Sequence, residues 1–166
     1  QIIDFMDALS IEKADFVGNS FGGSLTLALA TRFPERVGKM VLMGSGGQPF
    51  DVKDDLAKLW GYKPSVEAMK EILSIMAFNQ NIVTDELAEM RYKATIRPGF
   101  QERFERVFPP PYQRWADAQV VADEQLEQLT QEVLIIHGRD DRVVPVSVSE
   151  RLAHKIPKAQ FHMFGQ

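Results

Sequence analysis

The sequence predicts an α/β protein whose strands form a parallel sheet with helices packed on its faces. Short apolar runs that are typical of buried strands, such as "KMVLM" at 39–43 and "EVLII" at 132–136, alternate with segments of helical periodicity. Unbroken apolar runs indicate strands buried on both sides, as in parallel sheets. The stretch 47–118 interrupts this alternation with helical patterns alone. We therefore expect a parallel sheet that carries a helical insertion.

The composition of the chain argues against some partners and excludes some kinds of active site. The chain has 166 residues, 45% of them hydrophobic, and a net charge of −4. This mildly acidic balance gives no reason to expect nucleic acid or an anionic membrane as a partner. Cysteine is absent, which excludes disulfides, thiolate nucleophiles and cysteine metal sites. No apolar run approaches the roughly 18 residues of a membrane span, and no signal peptide is visible, so we expect a cytoplasmic protein.

The first third of the chain predicts two helices and two strands. Ile2, Phe5, Met6 and Leu9 share one helical face, so the chain opens inside an element and upstream residues are expected. A strand at 14–17 ends at Gly18, and a helix at 22–33 is halted by Pro34. The strand at 39–43 follows.

The insertion is predicted to be a helical lid. Ser65 can cap one helix, whose apolar face holds Val66, Met69, Ile72, Leu73 and Met76. Thr84 can cap a second helix that runs to about Ile96, before Pro98 and Gly99. The proline-rich stretch "FPPPY" at 108–112 is expected to be a stiff, extended connector.

The last part of the chain predicts two more strands, at 132–136 and 160–164, with an amphipathic helix at 146–156 between them. We divide the chain into core at 1–46, lid at 47–118 and core again at 119–166. Four strongly apolar strands would leave unpaired edges, which indicates that further strands are missing.

Ser20 is the leading candidate for a nucleophile. The stretch "GNSFG" at 18–22 fits the G-x-S-x-G pattern and lies between a predicted strand and a predicted helix. The alternative is a tight turn that happens to contain serine. In the nucleophile interpretation, the turn strains the serine backbone and raises its hydroxyl above the sheet. The amide N–H of Phe21 then points to where an oxyanion would develop.

A serine nucleophile needs a base and an orienting acid. The stretch "VLIIHGRDDRVVP" at 133–145 offers Asp140 and Asp141 in a loop after a strand, and the residues alone do not decide between them. None of the three histidines, His137, His154 and His162, lies in a loop after the last strand, where the base is expected.

These segments together resemble a known family. "VGNSFGG", "FPERVGKMVLMGS", "ELAEMRYKATIRPGFQERF" and "HGRDDRVVP" are similar to the meta-cleavage product hydrolases of the α/β-hydrolase fold, most of all to 2-hydroxymuconic semialdehyde hydrolases of bacterial aromatic degradation. The resemblance covers nearly the whole chain. It implies serine-dependent hydrolysis of a carbon–carbon bond in an anionic dienol acid, without metal or organic cofactor. The dienol is ketonised first, and either water or the serine then attacks the distal carbonyl. Family members often form homo-oligomers.

The resemblance also assigns residues. It makes Ser20 the nucleophile, favours Asp141 over Asp140 as the acid, and places Asn19 near the dienol end of the substrate. It suggests that Arg91 reaches the active site to meet an anionic group, whereas a surface arginine would extend to water. Trp115 either lines the pocket or packs in the core.

The resemblance further implies what is missing. The family's catalytic histidine would fall about three positions after Gln166, and its upstream strands, with the second oxyanion donor, would precede Gln1. We therefore expect an internal fragment with an incomplete α/β-hydrolase sheet that is inactive by itself. The alternatives for the parent protein are a carboxylesterase on the same fold and a non-catalytic receptor that keeps the pocket.

Overall fold

The computed structural model of the chain describes residues 1–165, and its elements alternate as the sequence predicts. The strands are β1 (Ala14–Asn19), β2 (Val37–Met43), β3 (Val133–Gly138) and β4 (Ala159–Phe164). The helices are α1 (Ile2–Ala8), α2 (Phe21–Arg32), α3 (Asp54–Trp60), α4 (Val66–Met76), α5 (Asp85–Thr95), α6 (Phe100–Val107), α7 (Gln113–Asp117), α8 (Asp123–Glu127) and α9 (Val146–Lys155). Every predicted strand and helix is confirmed to within a few residues, whereas α3, α6, α7 and α8 are additional.

The chain folds as two compact units. The sheet unit comprises residues 1–49, 119–139 and those from 146 onward. The helical unit comprises residues 50–118 together with the short segment 140–145. The helical insertion is thus a compact body, which also includes the loop that follows β3.

The sheet unit is built on a parallel sheet of four strands in the order β1-β2-β3-β4. All three neighbouring pairs are parallel, as predicted for an α/β protein. The register sets Asn19, Met43, Ile136 and His162 side by side near the carboxyl ends of the strands. This edge is where α/β sheets place their binding sites.

One face of the sheet forms the core of this unit. Gly18, Leu42 and Ile135 lie on this face and are buried. Helix α2 packs on β1 and β2, and helix α9 packs on β3 and β4. Lys155 joins α9 to α8 through ion pairs with Glu127 (2.9 Å) and Asp123 (3.0 Å). The hydrogen bonds that Lys155 donates to the Glu127 and Asp123 carboxylates raise the pKa of Lys155 to about 12.

The opposite face of the sheet is only partly covered. The Val17 side chain is 70% exposed and Leu134 is also exposed, while Val41 and Ile136 are half-buried. We expected helices to cover both faces because the strands are apolar on both sides. Within residues 1–165 the second face remains accessible to solvent.

The helical unit centres on α4 and α5. The Ser65 hydroxyl accepts a hydrogen bond from the Ala68 amide (3.0 Å), and the Thr84 hydroxyl accepts one from the Leu87 amide (3.1 Å), so both predicted caps are confirmed. Tyr62, Met69 and Ala88 form the buried cluster between these helices. A second group consists of aromatic rings in contact: Trp60, Phe104, Phe108, Tyr112 and Trp115.

Candidate active site

Ser20 occupies a strained turn between β1 and α2. Its backbone has φ 50° and ψ −118°, a left-handed φ that costs a non-glycine residue roughly 1–3 kcal/mol. The Ser20 amide donates to the Met43 carbonyl (2.9 Å), and the Ser20 carbonyl accepts from the Gly23 amide (3.0 Å). The hydroxyl does not cap α2, although serine is a preferred capping residue. The turn therefore holds a serine whose side chain contributes no cap.

Close contact between backbones explains the first glycine of the motif. A Cβ placed on Gly18 would lie 2.5 Å from the Gly22 carbonyl oxygen and 2.7 Å from the Gly23 Cα. A Cβ placed on Gly23 would overlap the Ser45 side chain. A Cβ on Gly22, by contrast, would meet nothing within 4 Å. Gly18 thus lets the first turn of α2 rest directly against the end of β1, and Gly23 lets the same turn approach Ser45 after β2.

We expect Gly18→Ala to destabilise the full-length protein by roughly 2–4 kcal/mol, because the added methyl group meets backbone atoms that cannot move alone. The free energy of unfolding in urea measures the loss. Gly22→Ala is the matched control, since its methyl group enters open space on the same turn. Equal unfolding free energies for the two variants would contradict the close approach of α2 to β1.

Two further groups lie beside Ser20. The Phe21 amide belongs to the first turn of the 12-residue helix α2, where N–H groups lack intrahelical partners and the helix dipole is positive. The Asn19 side-chain amide donates to the Met43 carbonyl (3.3 Å), which ties it to the end of β2. This environment favours negative charge near the serine.

The sheet register relates the serine turn to the acid-bearing loop. Ser20 follows β1 directly, and the acid loop, residues 139–145, follows β3 directly. Strand β2 lies between them, so β1 and β3 are roughly 10 Å apart. The Arg139 amide donates to the Phe164 carbonyl (2.7 Å), which fixes the start of the loop to the end of β4. Both segments therefore leave the sheet at its carboxyl edge.

Within the acid loop, Asp141 is held by the backbone that follows it. Its Oδ1 accepts hydrogen bonds from the Val143 amide (2.8 Å) and the Val144 amide (3.0 Å). Asp141 is half-buried, whereas Asp140 is exposed. The Arg142 guanidinium pairs with Asp55 in α3 (2.8 Å), a contact that no sequence pattern predicted. The loop conformation thus orients one of the two candidate carboxylates.

An acidic cleft of about 590 Å³ lies within the helical unit. Its polar lining is Asp51, Lys53, Asp54, Asp55, Asp141 and Arg142. Among residues 1–165, no group of three or more histidine, cysteine, aspartate or glutamate side chains is arranged to hold a metal ion. In the same part of the chain, no helix is both long and apolar enough to cross a membrane.

The three histidines occupy different surroundings. His137 is buried, and its Nδ1 lies 2.6 Å from the Ser149 hydroxyl in α9, a partner that the sequence did not reveal. His154 is exposed on α9. His162 is exposed on β4, with its ring 4.4 Å from that of Phe164, and β4 lies three strands or roughly 14 Å from β1. A base in the segment after β4 stays a prediction, and Gln166 lies outside the described residues.

Arg91 and Trp115 both belong to the helical unit. Arg91 is exposed on α5, and within residues 1–165 no carboxylate forms an ion pair with it, although its neighbours Glu89 and Lys93 pair with each other (2.9 Å). The Trp115 indole donates to the Pro109 carbonyl (2.9 Å) and meets Phe108 edge-on. Packing is thus the observed role of Trp115, and its contact with substrate stays a prediction.

The chain is similar in sequence to proteins of known function. Residues 1–166 match the model of the alpha/beta hydrolase fold family. The chain is 52% identical over 164 residues to the 2-hydroxymuconate semialdehyde hydrolase of Pseudomonas sp. (strain CF600), and the match covers 99% of this chain and 58% of that protein. It is 50% identical over 161 residues to the 2-hydroxy-6-oxo-2,4-heptadienoate hydrolase of Pseudomonas putida F1, and this match covers 97% of the chain and 58% of that protein.

A solved structure shows the same likeness. The meta-cleavage product hydrolase CumD of Pseudomonas fluorescens IP01 superposes with a TM-score of 0.96 at 55% identity, covering 99% of this chain and 60% of the CumD chain. The chain thus spans less than two thirds of the length of these relatives.

Proposed function

Because this chain belongs to the α/β-hydrolase fold family, we propose that the full-length protein is a serine hydrolase that cleaves a carbon–carbon bond in a meta-ring-fission product. The observation that carries this proposal is the identity of 50–52% with hydrolases of such products over nearly the whole chain. The strained turn at Ser20, whose hydroxyl does not cap α2, supports a nucleophile at this position. The substrate class is an anionic dienol acid of the 2-hydroxymuconic semialdehyde type.

In the proposed mechanism, Ser20 is the nucleophile and Asp141 orients the histidine base. The resemblance to the meta-cleavage product hydrolases implies a histidine base from a segment after β4. In this chain, His137 is buried against Ser149, and His154 and His162 lie exposed on α9 and β4. The Phe21 amide provides one donor for the oxyanion. Hydrolysis adds water across the cleaved bond: the hydroxyl stays on the distal carbonyl carbon, which leaves as a carboxylic acid, and the hydrogen goes to the dienoate side.

Three residues are proposed to hold the substrate. The Arg91 guanidinium binds an anionic group, which is supported by its lack of an ion pair among the described residues. Asn19 contacts the dienol end from its position beside Ser20. Trp115, which is half-buried, is proposed to line the pocket. The mechanism requires no metal or organic cofactor.

We further propose that this chain is the internal part of the enzyme, with core at 1–46, lid at 47–118 and core at 119–166. The open sheet face supports this, because apolar strands such as β1, with Val17 70% exposed, are stable only when covered. The resemblance implies that further strands of the α/β-hydrolase sheet cover that face and supply the second oxyanion donor. We expect the enzyme to be cytoplasmic and to associate as a homo-oligomer.

The substrate class is tested by steady-state kinetics of the full-length protein on two compounds. We expect a higher kcat/KM for the yellow ring-fission dienol acid, followed by loss of its absorbance, than for a neutral aryl ester. The physical reason is that only the dienol acid carries the anion that Arg91 binds. Turnover of the ester alone would contradict the proposed substrate and favour a carboxylesterase.

Two matched arginine variants test whether Arg91 binds the anionic group of the substrate. Arg91→Gln should raise KM for the dienol acid and leave KM for the neutral ester unchanged. Arg97→Gln is the control, because Arg97 is also an exposed arginine shortly after α5. Equal increases of KM for the dienol acid in the two variants would contradict binding of the substrate by Arg91.

A further inference from the structure

A buried polar pair joins β3 to α9. His137, in β3, is 1% exposed, and Ser149, in α9, is fully buried. The His137 Nδ1 and the Ser149 Oγ lie 2.6 Å apart, a short hydrogen bond. Burying two polar groups costs free energy unless they pair with good geometry, so this bond strongly disfavours separation of the strand from the helix.

The acid loop is the segment that these two residues enclose. It begins two residues after His137 and ends at Pro145, just before α9. Asp141 lies between the two partners in sequence, four residues after His137 and eight before Ser149. A loop whose two ends are fixed relative to each other has few backbone conformations available. The buried bond therefore restricts where the Asp141 carboxylate can lie.

We propose that His137 and Ser149 are positioning residues that fix the Asp141 carboxylate through the ends of its loop; this inference rests on the role of Asp141 in the proposed function. The pair acts from the buried face of the sheet and does not touch the substrate. Two hydrogen bonds from the Val143 and Val144 amides set the carboxylate within the loop. The His137–Ser149 bond fixes β3 to α9, the two elements between which the loop runs.

The experiment measures how fast Ser20 of the full-length protein reacts with a fluorophosphonate. In this reaction the Ser20 Oγ bonds to phosphorus, fluoride leaves, and the hydroxyl proton passes to the base, whose orientation depends on Asp141. We expect Ser149→Ala to lower the labelling rate by about 10- to 100-fold, the effect of a misplacement of about 1 Å. The same variant should lower kcat by a similar factor while KM changes little.

Gln131→Met is the matched control. Gln131 is also buried, and it lies just before β3, at the opposite end of this strand from His137. Its side chain donates a hydrogen bond to the Pro34 carbonyl (3.0 Å). This substitution should lower Tm as Ser149→Ala does and leave the labelling rate unchanged. A labelling rate for Ser149→Ala equal to that of Gln131→Met would overturn the proposal.

The double variant His137→Phe with Ser149→Ala separates positioning from stability. It removes both polar groups of this bond, so we expect its labelling rate to stay as low as that of Ser149→Ala. A wild-type labelling rate in this variant would show that the pair only stabilises the fold. If the double variant does not fold, the labelling rates of Ser149→Ala and Gln131→Met still decide whether the pair positions Asp141.

The labelling assay also keeps this inference distinct from the proposed substrate. A wild-type protein that labels but does not cleave the dienol acid contradicts the substrate alone. A wild-type protein that does not label contradicts Ser20 as nucleophile, and the positioning inference falls with it.

Discussion

Replacing Ser20 with alanine is expected to lower kcat of the full-length protein on the dienol acid by roughly 10⁴- to 10⁶-fold, since the proposed nucleophile is lost while binding remains. Stability should not fall with it, because the Ser20 hydroxyl does not cap α2 and alanine meets the same backbone strain as serine. Steady-state kinetics together with urea unfolding measure both quantities. A large loss of activity at unchanged stability is the signature of a reacting group.

Ser10→Ala is the matched control for this substitution. Ser10, in the turn after α1, has φ 55°, a positive φ close to the 50° of Ser20, and it lies outside the proposed site. It should retain full activity. If Ser20→Ala also kept its activity, the glycine-flanked turn would be a turn that merely contains serine, and the non-catalytic receptor would become the better interpretation.

The second large effect is expected at Asp141. Asp141→Asn should lower kcat by about 10⁴-fold, because an amide can neither hold the histidine in the required tautomer nor stabilise the imidazolium that forms. The amide oxygen can still accept from the Val143 and Val144 amides, so the loop conformation should survive. Kinetics of this variant and its Tm measure the two consequences separately.

Asp140→Asn is the control, since it makes the same chemical change one residue earlier, at an exposed position. We expect it to retain activity within a few fold. The opposite result, with Asp140→Asn inactive and Asp141→Asn active, would assign the acid to Asp140, the choice that the residues alone left open.

The strained serine and the held carboxylate illustrate how the fold serves the site. Ser20 is the residue that joins β1 to α2, and the close approach at Gly18 enforces its turn. At the start of the acid loop, the Arg139 amide donates a hydrogen bond to the Phe164 carbonyl at the end of β4. The loop lies in sequence between His137 and Ser149, which bond to each other. The close packing at Gly18 thus holds the serine turn, and the hydrogen bonds from the Val143 and Val144 amides hold the Asp141 carboxylate.

The sequence by itself determined the fold class, the strands, the principal helices and the serine motif. These features have local causes: apolar runs of strand length, caps such as Ser65 and Thr84, and a glycine pattern that allows one sharp turn. Helix α6 escaped prediction because Pro98 and Gly99 indicate a loop, although Phe100, Phe104 and Val107 recur at helical spacing. Helices α3, α7 and α8 are five to seven residues long, too short to show a period.

Only the tertiary structure decided which side chains meet. The partnership of His137 with Ser149, the ion pair of Arg142 with Asp55, and the contact of Gly18 with the backbone of α2 join residues whose spacing in sequence follows no helix or strand period. Such contacts depend on how strands and helices are brought together, and burial gives them their strength. Local propensity sets the elements, whereas packing between elements sets the geometry of the proposed site.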